Sequence, residues 1–277
     1  MPTVADKRAT FRTLHESGCF VLPNPWDLGS ARYLQHLGFK ALASTSAGFA
    51  FAQARPDGAV PRDMVLAHLY ELVAATDVPI NADYEAGYAD DAAGVAESVR
   101  LAVETGVAGL SIEDGAERKL YSLDDAVARL RAARAAIDQA GGEVLLVGRA
   151  ECFLLGRPDL DETIARLRAY ANAGADCLYA PGIRTREQIA AVVNAVDPKP
   201  VNVLMSSSPT TLTVADLAAL GVRRISVGGA LARVGWGAVM RTAKAILQDG
   251  RFDGLVDSVP GAEINALFRE DLARRMT

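Results

Sequence analysis

Short aliphatic runs alternate with longer helical segments almost from end to end of this chain. That alternation confines the fold to an α/β class built on a parallel sheet. The runs stand at 19–24 (CFVLPN), 40–46 (KALASTS), 78–83 (VPINAD), 108–113 (AGLSIE), 143–150 (EVLLVGRA), 176–181 (DCLYAP), 200–205 (PVNVLM) and 223–228 (RRISVG). They are short and largely apolar, as strands buried on both faces are. Between them, 63–75, 91–104, 124–139 and 159–172 carry apolar residues at helical spacing. Gly106, Gly174 and Gly221 each follow a last helical turn, where a left-handed residue closes the helix, and a strand begins directly after.

Eight strands alternating with helices in 277 residues is the count expected of one (β/α)8 TIM-barrel domain spanning 1–277. A doubly wound open sheet is the rival. It would normally have fewer strands and a glycine-rich phosphate loop after the first, whereas strand one here runs into Pro23-Asn24-Pro25-Trp26-Asp27. The tail 252–277, with 262–275 inside it, reads as an extra amphipathic C-terminal helix beyond the barrel. Aromatics are only 6 % of the chain, so Ala, Val and Leu must fill the core.

The net charge of -5 gives no global field that would attract nucleic acid or an anionic membrane. Cys19, Cys152 and Cys177 are odd in number, far apart and set among apolar residues, as reduced core thiols are. The opening MPTVADKRATFRTL lacks an apolar signal core, and no run reaches the ~20 residues of a membrane helix. The expectation is a cytoplasmic protein with neither nucleic-acid nor membrane partners.

In a barrel, chemistry sits at the carboxyl ends of the strands. Read in order, those ends supply Asn24, Trp26 and Asp27; Thr45 and Ser46; Asp83 and Glu85; Glu113 and Asp114; Arg149 and Glu151; Tyr179; Asn202; and Ser226. Carboxylates with no histidine or cysteine nearby suit a hard cation, Mg2+ or Mn2+. Asp83 and Glu85 are two apart, hence on one side of a continuing strand, and Glu113 ends the next strand. The plain alternative is that Asp83 and Glu113 cap helices or pair with arginines. Arg149 interrupts an apolar strand and must be paired, by a substrate carboxylate or by a bridge to Glu151 or Glu113. Thr45 and Ser46 offer hydroxyls and backbone N–H groups to an anion, or form an ordinary turn.

His15, His36 and His68 all fall in helical segments, which argues against histidine base catalysis. No Gly-x-Ser-x-Gly elbow, Walker sequence or dinucleotide fingerprint is present. No lysine lies inside a strand (Lys40 opens one), which argues against a Schiff-base aldolase.

The pieces STSAGFA with RPDG after it, NADYEAGY, GLSIEDG, VGRAEC and VNVLM occur in that order. In this combination, from about residue 11 to 255, the chain resembles the isocitrate lyase/phosphoenolpyruvate mutase superfamily. The resemblance implies Mg2+ on Asp83, with Asp57, Glu85 and Glu113 holding its water shell. It places Thr45, Ser46, Ala47 and Arg149 around the carboxylate and carbonyl of a 2-oxo acid, with Asn202 facing the site. Arg149, Asp83 and Glu113 are the implied catalytic residues. The family's chemistry makes or breaks a C–C or C–P bond beside the oxo group, which the metal polarises, stabilising an enolate.

Two departures narrow the subclass. Isocitrate-type lyases carry a mobile loop with an acting cysteine, whereas this chain has GAERKLYSLDD after Asp114. The C–P enzymes place Lys with Asn or Thr in a longer loop, which Lys119 matches only loosely. What remains resembles short-loop 2-oxo acid decarboxylases such as oxaloacetate decarboxylase. The expected activity is a Mg2+-dependent carbon–carbon lyase decarboxylating or cleaving an oxaloacetate-like 2-oxo dicarboxylate. Phosphonopyruvate hydrolase or mutase chemistry is one alternative, and a non-catalytic 2-oxoglutarate-type binding protein is another. Tyr88, Arg118 and Tyr121 are candidates for gating loops. The resemblance also implies a homodimer or homotetramer with the last barrel helix swapped between subunits, and the apolar segment 230–248 suits such a role.

Overall fold

The computed structural model describes residues 2–206 and 211–275. Eight parallel strands form the sheet: β1 (Phe20–Leu22), β2 (Leu42–Ala43), β3 (Ile80–Asp83), β4 (Gly109–Glu113), β7 (Leu145–Arg149), β8 (Cys177–Tyr179), β9 (Val201–Leu204) and β10 (Arg224–Ser226). A separate antiparallel hairpin, β5 (Gly115–Ala116) and β6 (Lys119–Leu120), projects after β4. The order is β1-β10-β9-β8-β7-β4-β3-β2. The Ala43 N–H donates to the Pro23 carbonyl at 3.1 Å across the remaining gap, so the sheet curls into the expected (β/α)8 barrel.

Every strand lies within its sequence-predicted run but is shorter, because the outer residues of each run turn into loops. The helices are α1 (Val4–Glu16), α2 (Leu28–His36), α3 (Ser46–Ala52), α4 (Arg62–Ala75), α5 (Ala92–Glu104) and α6 (Leu123–Gln139). They continue with α7 (Leu160–Asn172), α8 (Arg186–Val196), α9 (Val214–Ala219), α10 (Ala230–Asp249) and α11 (Gly261–Arg275), the tail helix. Asp91, Ser122, Asp159, Thr185 and Thr213 cap the starts of α5 to α9 in turn, each side chain accepting a backbone N–H of the first turn. Gly106, Gly174 and Gly221 hold φ of 90°, 103° and 84° past α5, α7 and α9, the conformation that a Cβ disfavours.

Between sheet and helices lies the main apolar core, with Leu110, Leu146, Val203 and Ile225 among its fully buried members. Inside the barrel a smaller cluster of Phe11, Leu22, Ala41, Ala43, Ala108 and Leu145 closes the amino-terminal end. Phe11 comes from α1, which the polar opening of the chain conceals. Its Thr3-x-x-Asp6 capping box starts the helix, and buried Lys7 donates to the carbonyls of Val73 at 2.8 Å and Thr76 at 2.5 Å. Cys152 and Cys177 are buried free thiols, but Cys19 is only half-buried, because it precedes β1 at the amino-terminal end of the barrel, where α1 ends.

Helix α10 departs from the packing of the other long barrel helices. Of its 20 residues only Ala232 is buried, and Val234, Trp236, Val239, Met240 and Leu247 are exposed. The tail helix α11 packs on α2 through the Arg32–Asp271 ion pair but buries no whole residue. Among the described residues no helix is long and apolar enough to cross a membrane.

Candidate active site

The polar ends of β3, β4 and β7 meet at one guanidinium. Arg149, the last residue of β7, places Nη1 at 3.1 Å from Asp83 Oδ1 and 3.1 Å from Glu113 Oε2. Its Nε donates to Glu151 Oε1. The Tyr179 ring, from the end of β8, stands 5.2 Å from the guanidinium carbon. Burial opposes the arginine's charge, but Glu113, Glu151, Tyr179 and Asp83 outweigh it and hold the group protonated well above its ordinary range. The ion-pair reading of Arg149 is therefore the arrangement seen in the structure, with three carboxylates rather than one.

Asp83 has a second set of partners. Its Oδ2 accepts the Ser46 N–H at 3.0 Å, and its own N–H donates to Ser44 Oγ at 2.8 Å. Ser46 opens α3, whose N-cap Thr45 accepts the Gly48 N–H at 3.2 Å. A Cβ on Gly48 would lie 2.6 Å from Thr45 Cγ2 and 3.0 Å from Trp26 Cβ, so only glycine lets this turn pack so closely on Trp26. Asn24 ties the opposite wall: Oδ1 accepts the Val227 and Gly228 N–H groups at 2.9 and 2.8 Å, and Nδ2 donates to the Ser44 carbonyl.

Glu85 corrects the simple strand argument. Strand β3 stops at Asp83, and Glu85 adopts a φ of 44°, so the two acids do not share a strand face. The turn 84–88 instead carries Glu85 over the rim, where Tyr88 Oη donates to its Oε1 at 2.7 Å. Burial pushes Glu85 up to about 7, and Asp83 and Asp57 add to the rise. Burial likewise lifts Glu113 well above the usual carboxylate range, with Glu151, Asp83 and Glu85 adding to it against Arg149. Asp57 sits on the exposed loop between α3 and α4. Its carboxyl is raised by enclosure and by Asp83, against a hydrogen bond from the Ser46 side chain.

These groups line two adjoining cavities. The first, about 320 Å³, runs from Thr45, Ser46, Ala47, Asp83 and Arg149 down to Asn81, Ser111 and Arg224. The second, about 330 Å³, is acidic, with Asp57, Glu85, Glu113 and Glu151 in its wall. Ser46, Asp57, Arg149 and Leu154 belong to both.

The structure therefore brings Thr45, Ser46, Ala47, Asp57, Asp83, Glu85, Glu113 and Arg149 together. Asn202 is not among the lining residues; it lies fully buried, spent on Ser226 Oγ at 2.9 Å and on the Nε of Arg224 at 2.8 Å. Of the gating candidates, Tyr88 bonds Glu85 and Arg118 lines the acidic cavity, but Tyr121 stacks under Arg129 at 4.1 Å and lines neither cavity. Asp114 is buried as an anchor. Its Oδ1 accepts the Glu151 N–H at 2.7 Å, and its Oδ2 accepts from Tyr170 Oη at 2.5 Å and Arg166 Nη1 at 3.1 Å. That support for Glu151 depends on Arg166 and Tyr170 of α7, whose pairing with Asp114 the helical spacing of 159–172 does not announce.

The donor set fits a hard cation. Of five neighbouring carboxylates, those of Asp57, Asp83, Glu85, Glu113 and Glu151, three pair with one guanidinium, and four are raised by burial and mutual repulsion. Among the described residues no three ligands close into a direct cage. One inner carboxylate with outer acids holding waters is the arrangement Mg2+ tolerates best.

Residues 11–247 match the family model described as phosphoenolpyruvate phosphomutase. The chain is 32 % identical over 241 residues to an oxaloacetate decarboxylase of Paraburkholderia xenovorans (strain LB400), covering 83 % of this chain and 77 % of the relative. It superposes on a provisionally assigned lyase/mutase from Burkholderia cenocepacia J2315 with a TM-score of 0.93 and 48 % identity, over 96 % of this chain and 97 % of that one. An oxaloacetate acetylhydrolase in complex with the product oxalate gives a TM-score of 0.84 at 27 % identity, over 95 % and 94 % of the two chains.

Proposed function

The chain belongs to the phosphoenolpyruvate phosphomutase family, within the isocitrate lyase/phosphoenolpyruvate mutase superfamily of lyases and mutases, and on that premise we propose a divalent-metal-dependent carbon–carbon lyase for a small 2-oxo dicarboxylate. The observation that carries this reading is the meeting of Asp83, Glu113 and Glu151 on Arg149, beside the turn at Ser46. The similarity to an oxaloacetate decarboxylase and to an oxaloacetate acetylhydrolase supports an oxaloacetate-like substrate, decarboxylated or cleaved beside its oxo group.

Asp83 would hold Mg2+ or Mn2+ directly, with Asp57, Glu85 and Glu113 placed toward its waters. When bound, the cation supplies Lewis acidity toward the oxo group, where negative charge develops as the bond breaks. Arg149 orients the substrate carboxylate through its planar fork, and Glu151 and Tyr179 fix the plane of that fork. In the first turn of α3 the Ser46 N–H holds Asp83 and the Gly48 N–H holds Thr45, which leaves the Ala47 N–H for the same anion, and the Trp26 contact at Gly48 keeps the turn rigid. Tyr88 holds Glu85 at the mouth, where a carboxyl near neutrality can give or take a proton from water.

The hairpin β5–β6 leaves only Glu117 and Arg118 between its strands, with neither thiol nor imidazole. That favours decarboxylation or simple cleavage over isocitrate-type proton transfer. The exposed face of α10 supports a homodimer or homotetramer in which this helix packs on a second copy. The function is tested by turnover of oxaloacetate and related di- and tricarboxylates with Mg2+. Product formation abolished in Asp83→Ala supports it; no turnover of any of them removes it.

A further inference from the structure

Among the described residues, a buried cation that faces the site cavity has no anion beside it. Arg224 opens β10 and is 2 % exposed, yet it lines the same cavity as Asp83 and Arg149. Its Nε donates to Asn202 Oδ1 at 2.8 Å, and its Nη1 donates to Asn81 Oδ1 at 3.2 Å and faces His15 Nε2 at 3.4 Å. His15 Nδ1 lies 2.7 Å from the Phe11 carbonyl and must donate to it, so Nε2 is the lone pair turned to the arginine. All three partners are neutral. Among the described residues no carboxylate pairs with Arg224, and none accepts a hydrogen bond from its Nη2.

The other buried arginines are satisfied. Arg149 meets three carboxylates, Arg166 meets Asp114 and Glu162, and Arg129 meets the carbonyls of Ala86, Ala89 and Asp90. Burying a guanidinium without a counter-ion is costly, and arginine does not escape by losing its proton. A charge kept there, open to a cavity, fits an anion that arrives from outside.

Depth identifies the anion. Asn81 is two residues before Asp83 on β3, so the two side chains face inward one layer apart, roughly 6–7 Å along the strand. Arg224, bonded to Asn81, stands about one layer beneath the rim. A four-carbon dicarboxylate spans roughly 4–5 Å between its terminal carbons, which with hydrogen bonds at each end bridges that interval. We propose that Arg224 is the counter-ion for the distal carboxylate of the substrate, whose 2-oxo acid end lies against Arg149 and Ser46. The assignment rests on the function proposed above and makes the site selective for dicarboxylates. Because a carboxylate leaving as CO2 gives up the charge that Arg224 holds, the contact strengthens binding more than bond breaking.

The test is calorimetric titration, with Mg2+ present, of oxalate, 2-oxobutyrate and 3,3-difluorooxaloacetate. Wild-type protein is expected to bind the dicarboxylate at least about tenfold more tightly than 2-oxobutyrate. Arg224→Gln should erase that preference while oxalate affinity, which needs only the rim, stays within about threefold, and Arg224→Lys should restore part of it. With oxaloacetate, Arg224→Gln should raise KM without lowering kcat. Equal loss of oxalate and dicarboxylate binding would make Arg224 a structural strut and overturn the assignment. So would a selective loss in Arg233→Gln alone, the other arginine of the lining besides Arg149. Should Arg224→Gln not fold, the wild-type comparison decides, since no preference over 2-oxobutyrate refutes the subsite. Wild-type protein that fails to bind oxalate would instead sink the rim reading, and this inference with it.

Discussion

Arg149 Nη1 lies 3.1 Å from Asp83 Oδ1, a bond between the ends of two strands that are not neighbours. β4 runs between β3 and β7, so the contact bridges over the end of β4 rather than following the sheet. The rim is therefore held by charge where backbone pairing cannot reach.

Replacing that fork tests its geometry. Arg149→Lys keeps the charge but cannot serve Asp83, Glu113 and Glu151 from one plane. We expect kcat/KM to fall by about 100-fold or more, as misplacement by an ångström commonly does, with the melting temperature little changed. Steady-state kinetics beside thermal unfolding would check this; an unchanged kcat/KM would contradict it.

Asp114 is predicted to act through stability. Asp114→Asn removes the buried partner of Arg166 and weakens the acceptor that fixes Glu151. Breaking one side of such a buried pair should cost roughly 3 kcal/mol, read as a lower urea midpoint. A shift under about 0.5 kcal/mol would show that Glu162 alone satisfies Arg166.

Acid should weaken the fold through two histidines. Burial lowers His15 to about 3 and His68, stacked on Phe49, to about 4, so both stay neutral in the folded chain while the unfolded chain binds protons below about 6.5. Stability is thus full above 6.5 and is lost as pH falls toward 4, by an amount on the order of a few kcal/mol. Glu85, raised by burial to about 7, works the other way together with Asp57, Glu113 and Glu151, since the folded chain takes those protons first. Between pH 7.5 and 4.5 the urea midpoint of wild-type protein should shift further toward instability than that of His68→Gln, which lacks the group that takes up a proton on unfolding. Identical slopes would contradict the assignment of His68.

The exposed apolar face of α10 should be covered in solution. Light scattering is expected to give a dimer or tetramer, and Val234→Glu with Met240→Glu should dissociate it. A monomeric wild-type protein would contradict this.

Much of this was legible in the sequence because its causes are local. Apolar runs bounded by Gly, Pro and Asn mark all eight barrel strands, and the glycines after α5, α7 and α9 mark where helices stop. The converging acids could be read because a barrel places every strand end on one rim. Glu85 could not be placed, since the period-two argument assumes a strand that actually ends at Asp83. Arg224 was hidden for another reason. In RRIS it looks like a solvated charge, and its burial depends on Asn81, 143 residues away, and on His15 from a helix masked by polar residues.

The central claim, that Asp83 seats a cation for a 2-oxo acid held by Arg149, is tested most directly by titrating Mg2+ with oxalate into wild-type protein and Asp83→Asn. One cation per chain is expected in wild-type protein, with affinity about 100-fold lower in the variant and its fold intact by circular dichroism. Equal binding in both, or none in either, would contradict it.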